Sequence, residues 1–118
     1  MSTLNKVQLI GRLGANPEIK TFESGKKVAN FSIATSDTYI DKEGNKVEDV
    51  EWHNLSAWGN LADIFEKYVS KGHMVHVEGR TKTKSWEKDG ETRKSKEIVV
   101  KELIMLEKKS EEQNNEEQ

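Results

Sequence analysis

Period-two alternation of side-chain character is the sequence feature that most limits how this chain can fold. Residues 80 to 86 read RTKTKSW, so every second residue is a cation until the row ends on a tryptophan. Residues 51 to 59, EWHNLSAWG, alternate in a similar way. Successive side chains of an extended strand point to opposite faces, so each segment presents a distinct row on each face. The pattern therefore predicts a protein built mainly from strands.

The segment LNKVQLIGRLG at residues 4 to 14 predicts the first strand. Its apolar face carries Val7, Leu9 and Leu13, and we expect Val7 and Leu9 in the core or at a subunit interface. Gly11 and Gly14 could belong to a phosphate-binding loop, but the Lys-Ser/Thr pair and the helix of such a loop do not follow. A bend in a curled strand is the use that the sequence favours.

A second strand is predicted from about Ile19 to residue 36, with a turn at residues 23 to 26. Residues 39 to 49 read as a polar hairpin with Gly44 at its tip. The third strand is predicted at residues 51 to 59, and the fourth and fifth are expected from His73 to Trp86 and from about Thr92 to Leu106. The fifth is apolar on both faces, since parity places Ile98, Val100 and Ile104 on one face and Val99, Leu103 and Met105 on the other. One face can fill the core, and Val99 and Leu103 are candidates for the core or an oligomer interface.

Residues 60 to 72, NLADIFEKYVSKG, are the one segment with a helical period. Asn60 suits the N-cap and Gly72 suits the C-terminal stop. The apolar stripe consists of Leu61, Ile64, Phe65, Tyr68 and Val69. We expect this stripe to cover one open end of a barrel.

The predicted order of three strands, a helix and two strands matches an all-β class with one small helix. It is the order of the OB-fold, a five-stranded Greek-key barrel with the helix between strands 3 and 4. Residues 1 to 106 form this predicted domain. Residues 107 to 118, EKKSEEQNNEEQ, are polar and acidic, and we expect a disordered tail.

Composition narrows the class further. The chain has 118 residues, is 33% hydrophobic and 34% charged, and contains no cysteine. Its apolar runs are far shorter than a membrane span and its start lacks a signal peptide's apolar segment, so we expect a cytoplasmic protein without membrane contact. The net charge is -2, but the last twelve residues carry five Glu and two Lys, which leaves the body slightly basic.

Exposed aromatic and cationic rows on neighbouring surfaces predict a site for unpaired nucleic acid. Trp52 and Trp58 share a strand face with polar Asn54 and Ser56, which a core face would bury without evident partners. The row on the fourth strand consists of Arg80, Lys82, Lys84 and Trp86. Stacking on indoles and charge on lysines suit a single strand, because a duplex hides its base faces. A packing role for the tryptophans, or lysines that guard an edge strand, are the structural alternatives.

Other chemistry has little support in the sequence. His73 and His76 are three apart, so a strand points them to opposite faces, and we expect structural or solvated histidines and no metal site. His53 lies on the inward face and suits the core or a subunit interface. We expect no cofactor and no enzyme activity, since no organised catalytic group accompanies the acids near residue 50. An OB-fold adaptor that binds RNA, protein or an oligosaccharide, and a nuclease on the same fold, are the alternatives to test.

Three segments resemble successive parts of the bacterial single-stranded DNA-binding protein family: NKVQLIGRLGANPEIK, EWHNLSAWGNLADIFEKYVSKG and VHVEGRTKTKSW. The resemblance spans roughly residues 4 to 106. It implies an OB-fold, a homotetramer, and a role in coating single-stranded DNA during replication, recombination and repair.

By position, the resemblance implies stacking roles for Tyr39, Trp52, Trp58 and Trp86, and phosphate contacts from Lys71, Lys82 and Lys84. Tyr39 stands where well-known members have Trp. Parity places it with Phe31 and Ile33 on the core side, so a bulge or strand end is needed to turn it outward. Typical bacterial members also end in an acidic tip with Ile-Pro-Phe, which the given sequence lacks. Recruitment of replication and repair enzymes by that route is therefore not expected.

Overall fold

Six strands and one helix make up the described part of the chain, residues 3–107 of a computed structural model. The strands are β1 (Val7–Leu13), β2 (Glu18–Thr21), β3 (Lys27–Ile40), β4 (Lys46–Trp58), β5 (Met74–Lys88) and β6 (Glu91–Glu107), and α1 (Asn60–Tyr68) follows β4. Apart from its first residue, the predicted acidic tail lies outside the described residues. Within those residues, α1 is too short and too polar to cross a membrane.

The strands form one sheet in the order β1-β5-β6-β4-β3-β2, and β1 also pairs with β3, which closes a barrel. The predicted OB-fold class is confirmed. The second predicted strand is two strands, because a turn closed by the Phe22 amide on the Lys26 carbonyl (2.8 Å) separates β2 from β3. Gly11 lies where β1 crosses β3. A Cβ there would stand 2.3 Å from the Ala34 oxygen, so the glycine permits the bend that the sequence predicts.

The helix differs from its prediction at both ends. Asn60 is the first helical residue rather than the N-cap, because Gly59 occupies that position with φ +65°. The helix ends at Tyr68, and Gly72 (φ +90°) lies in the turn that follows. Its buried face carries Ala62 and Phe65, and the Phe65 ring stacks on that of Phe31 with centroids 4.3 Å apart. Two members of the predicted stripe, Ile64 and Tyr68, are exposed.

A bulge in β6 makes the predicted faces of that strand wrong. Glu78 pairs with Glu102 but Gly79 pairs with Val100, so Lys101 is an extra residue on β6. Leu103 therefore packs against the core that contains Ile98 and Val100, while Ile104 turns outward. Val7 and Leu9 also pack against the core. Val99 is half-buried on the outer face, where it pairs with Arg80 and Ser56.

Two long hairpins extend from one end of the barrel. β4 and β6 are parallel and pair only at Leu55 with Ile98 and at Ser56 with Val99, so both hairpins leave on the same side of these pairs. We call residues 36–51, at the junction of β3 and β4, the acidic hairpin. Residues 80–97, at the junction of β5 and β6, are the basic hairpin.

Candidate nucleic acid interface

Four aromatic side chains predicted to stack on bases are exposed. The exposed fractions are 55% for Trp52, 43% for Trp58, 45% for Trp86 and 51% for Tyr39. With about half of each side chain exposed, none of the three tryptophans is a buried core residue. Whether they bind DNA stays a prediction, but their faces are accessible to a ligand.

Trp52 rests on the backbone of Gly14. A Cβ at Gly14 would lie 2.5 and 2.7 Å from the indole atoms Cζ3 and Cη2, so only a glycine leaves room for the ring in this position. On β4, Trp52 pairs with Ala34 of β3, and the next pair on the same face of the two strands is Asn54 with Ser32. The small residues on β1 and β3 thus form the seat of an aromatic platform. The role of Gly14 was not foreseen from the sequence, since a seat depends on a neighbour from a distant strand.

The surface between Trp52 and Trp58 is polar. A pocket of about 350 Å³ there is lined by Asn16, Glu18, Asn30, Ser32 and Asn54, among others. Asn54 is exposed, as the alternation predicts, but Ser56 is only 1% exposed and its Oγ has no partner within the described residues. The expectation that Ser56 stays open is wrong because β6 packs beside β4 at this point and covers it.

Trp58 is one ring of an aromatic stack. The Phe22 ring lies nearly parallel to it (9°), with centroids 5.9 Å apart, and Lys20 Nζ is 5.1 Å from the Phe22 centroid. Phe22 was missed by the sequence analysis, because it follows the short strand β2 and shares no alternation with Trp58. A cleft of about 590 Å³ opens beside Trp58, and Lys26 and Lys27 contribute to its wall.

The positive charge of Lys27 is compensated by two carboxylates of α1. Its Nζ donates to Asp63 (2.8 Å) and Glu66 (2.9 Å). These hydrogen bonds raise the pKa of Lys27 above its ordinary value, and the bond from Lys27 lowers the pKa of Asp63. A phosphate in this cleft would therefore find its free cation in Lys26, which makes no ion pair within residues 3–107.

The predicted cationic row lies on the outer face of β5. Arg80, Lys82, Lys84 and Trp86 pair across β6 with Val99, Glu97, Ser95 and Arg93, and all four are exposed. The prediction that this row and Trp52 line one groove is only partly realised, since β6 lies between β4 and β5. Where the hairpins separate, a cleft of about 220 Å³ has Trp52 and His53 on one side and Thr81, Lys96 and Glu97 on the other. Lys96 was missed, although it alternates with Lys94 just as Lys82 does with Lys84.

Tyr39 lies on a different face from Trp52. The pairing of β3 with β4 continues without a register shift from Val28 with Trp58 to Ile40 with Lys46, so the anticipated bulge is absent from this stretch. Tyr39 is exposed because the hairpin has left the barrel before this position. Its face is shared with Asp37, Asp49 and Glu51, which gives it an acidic surrounding.

The remaining predicted residues have structural partners. The amide of Lys71 donates to Asn16 Oδ1 (2.8 Å), which places Lys71 beside the polar pocket, with its side chain exposed. His53 is half-buried, and its Nε2 lies 3.0 Å from Thr35 Oγ1. His73 is buried and its Nδ1 accepts from the Ser70 amide. Across residues 3–107, the structure has no cluster of three or more His, Asp or Glu suited to a metal ion.

Known proteins resemble this chain over most of its length. A family model described as "Single-strand binding protein family" matches residues 4–106. The chain is 48% identical over 105 residues to "Single-stranded DNA-binding protein 1" of Chlorobaculum tepidum and 46% identical over 105 residues to "Single-stranded DNA-binding protein" of Neisseria meningitidis serogroup A. These alignments cover 87% and 88% of this chain. The chain spans 65% and 60% of the length of those two relatives.

A third relative and two solved structures extend the comparison. "Single-stranded DNA-binding protein 1" of Xylella fastidiosa is 44% identical over 111 residues, or 92% of this chain and 82% of that protein. The "Plasmodium falciparum SSB complex with ssDNA" superposes with a TM-score of 0.81 at 34% identity, over 91% of this chain and 98% of that one. A deletion mutant of the Thermus aquaticus single-stranded DNA binding protein gives 0.77 at 31% identity, over 88% and 51%. The chain belongs to the single-strand binding protein family.

Proposed function

We propose that this protein binds single-stranded DNA, largely independently of sequence, by stacking bases on exposed indoles and neutralising phosphates with lysine and arginine. The observation that carries the proposal is the partial exposure of Trp52, Trp58 and Trp86. Aromatic side chains are the largest apolar groups available to a small core, and the chain leaves three of them accessible. A stacked base covers the exposed indole face, so the apolar surface of the ring is removed from water.

The charge of the basic hairpin, which carries Trp86, supports a polyanionic ligand. The basic hairpin holds seven cations and four acids, a net of +3, although the whole chain is at -2. Along residues 80 to 85 its cations alternate with hydroxyl-bearing residues on an exposed ribbon, so they are free to follow a flexible phosphate backbone. Neither stacking nor phosphate contact distinguishes one base from another, which is why we propose binding with little sequence preference.

Family membership supports the wider role. Relatives carry the name single-stranded DNA-binding protein, and one solved relative is a complex with single-stranded DNA. We propose that this chain likewise coats single-stranded DNA in replication, recombination and repair. We expect it to act in the cytoplasm as a homo-oligomer, in the form of a tetramer. The proposed activity is binding alone, without catalysis.

A fluorescence titration tests the proposal. Intrinsic tryptophan emission should be quenched on adding a dT oligonucleotide, and the logarithm of the affinity should fall with the logarithm of salt by about 0.7 per phosphate contact. Competition with duplex DNA and single-stranded RNA separates this function from that of an RNA or protein adaptor. Incubation of labelled DNA with divalent metal tests for nuclease activity. Unchanged emission at saturating DNA would contradict the proposal.

A further inference from the structure

The polar pocket between Trp52 and Trp58 carries charges that do not suit a phosphate. Its volume is about 350 Å³, and the described residues that line it include the acids Glu18 and Glu97 but no lysine or arginine. Glu97 also lines the cleft of about 220 Å³ that contains Trp52. It is half-buried and makes no ion pair within residues 3–107. These carboxylates would repel phosphates, so a bound strand must place another part of its nucleotides in the pocket.

Cations stand at the border of this pocket and not inside it. Lys82 on β5 pairs with Glu97 on β6, so one strand spacing of about 4.8 Å separates the two positions. At Asn16, which lines the pocket, the contact comes from the backbone amide of Lys71 (2.8 Å), whose side chain is exposed. A phosphate bound by Lys82 can therefore extend its base over Glu97 and into the pocket.

The side chains inside the pocket suit the edges of bases. Asn54 and Glu97 share the outer face, because each directly precedes a residue of the parallel pair Leu55 and Ile98. Both side chains line the pocket and the cleft beside Trp52. An amide both donates and accepts hydrogen bonds, whereas an ionised carboxylate only accepts them.

A carboxylate distinguishes between bases by their hydrogen-bond donors. Cytosine, adenine and guanine each carry an exocyclic amino group, and a glutamate that accepts from the amino group of cytosine is a known pairing in base recognition. Thymine and uracil carry no amino group. Their single N–H lies between two carbonyl oxygens, which a carboxylate repels.

We propose that a base stacked on Trp52 turns its edge toward Glu97, and that this carboxylate favours bases with an exocyclic amino group over thymine and uracil. The proposal rests on the DNA binding proposed above and adds a modest base preference at one position of that surface. Stacking and phosphate contacts do not supply such a preference, since both are common to all nucleotides. Asn54 fits the same contact, because its amide can donate to the ring nitrogen or the carbonyl oxygen of cytosine.

The experiment compares dC and dU oligonucleotides of equal length in fluorescence titrations of the full chain at pH 8. The two bases have the same size and differ only along one edge. Glu97→Gln keeps the shape of the side chain but adds an amide that can donate to uracil. We expect this variant to lower the ratio of dC affinity to dU affinity by about threefold to tenfold relative to the parent.

Glu87→Gln is the matched control, since it removes the same charge from an exposed position of the basic hairpin outside the pocket. It should leave the ratio unchanged. An unchanged ratio in Glu97→Gln, with both affinities raised, would show that Glu97 only repels phosphates and would overturn the base preference. Equal decreases in the two variants would also overturn it, because the effect would then follow charge and not position.

The same titrations separate this proposal from the proposed function. A parent chain that binds neither oligonucleotide would overturn both. A parent chain that binds both, with the same ratio as Glu97→Gln, would overturn the base preference alone. Binding of dU by Glu97→Gln at least as tight as by the parent would show that the variant is folded, so that a change in its ratio reports on the pocket.

Discussion

The acidic and basic hairpins have the same architecture and opposite charge. Each is a two-stranded ribbon that leaves the same end of the barrel, and each closes on a glycine with positive φ, Gly44 or Gly90. The acidic hairpin holds six acids and two lysines, a net of -4, whereas the basic hairpin is at +3. The ligand that an exposed ribbon can bind is therefore determined by the side chains that alternate along it, and not by the shape of its backbone.

The contrast extends to the aromatic residue on each hairpin. Trp86 stands in a row with Lys84 and across from Arg93, while Tyr39 stands with Asp37 and Asp49. A base that stacks on an aromatic ring brings its own phosphates near the ring. Those phosphates are attracted at Trp86 and repelled at Tyr39. We therefore expect the two positions to contribute unequally to DNA binding, despite similar exposure.

The largest expected effect is the loss of an indole on the favoured side. Trp86→Ala should weaken binding of a dT oligonucleotide by about fivefold to hundredfold, since each stacked base contributes roughly 1–3 kcal/mol. Trp52→Ala should behave similarly. Tyr68→Ala is the matched control, because Tyr68 is an exposed aromatic on α1. Equal losses at Tyr68 and Trp86 would mean that exposure alone, and not position, sets the effect.

A smaller loss is expected when the seat of Trp52 is filled. The methyl group of Gly14→Ala would collide with the Trp52 ring, so the ring must move. We expect affinity for dT oligonucleotides to fall by about threefold to tenfold. In a double-mutant cycle, Gly14→Ala should add little once Trp52 is already Ala. Additive losses would show that Gly14 acts through something other than the platform.

Neutralising a cation on the basic hairpin should change the salt dependence more than the affinity. Lys82→Gln should lower the slope of log affinity against log salt by about 0.7, because one phosphate contact is lost. Lys42→Gln, on the acidic hairpin, removes the same charge from the other ribbon and should leave the slope unchanged. A shift of the same size for both variants would erase the distinction between the hairpins.

The acidic hairpin should contribute least to binding. Tyr39→Ala should change affinity by less than about twofold, since three carboxylates on its face keep phosphates away. Reversing one of these charges sharpens the comparison. In an Asp49→Lys background, Tyr39→Ala should cost more affinity than it does in the parent. A large loss of DNA affinity from Tyr39→Ala in the parent would show that DNA stacks on Tyr39 despite the neighbouring carboxylates.

The smallest effect concerns stability and lies outside both hairpins. Because Lys27 lowers the pKa of Asp63, their ion pair stabilises the fold above the pKa that Asp63 has when unfolded. This stabilisation is lost as pH falls through the lowered pKa of the folded state. The effect is small, since solvent screens the pair. The urea midpoint of unfolding should decrease less between pH 7 and pH 3 for Asp63→Asn than for the parent. Equal decreases would show that the ion pair contributes nothing to stability.

The regular alternation of the strands was more predictable from the sequence than their irregularities were. The alternation around Trp52 and Trp86 correctly predicted exposed rings, because period two is a local property of a strand. The bulge at Lys101 and the cover over Ser56 were missed, because both depend on which strand packs alongside. The same reason explains Phe22 and Gly14, whose partners Trp58 and Trp52 lie 36 and 38 positions away in the chain. Contacts between distant segments leave no periodic signal in either one.

The most direct test of the central claim uses three variants that each keep one tryptophan and replace the other two by Phe. If bare indoles beside cations form the DNA site, a dT oligonucleotide should quench Trp52, Trp58 and Trp86 emission separately, and all three should saturate at the same DNA concentration. A single-tryptophan protein that binds DNA with its emission unchanged would contradict a stacking role for that ring. Failure at all three would contradict the account as a whole.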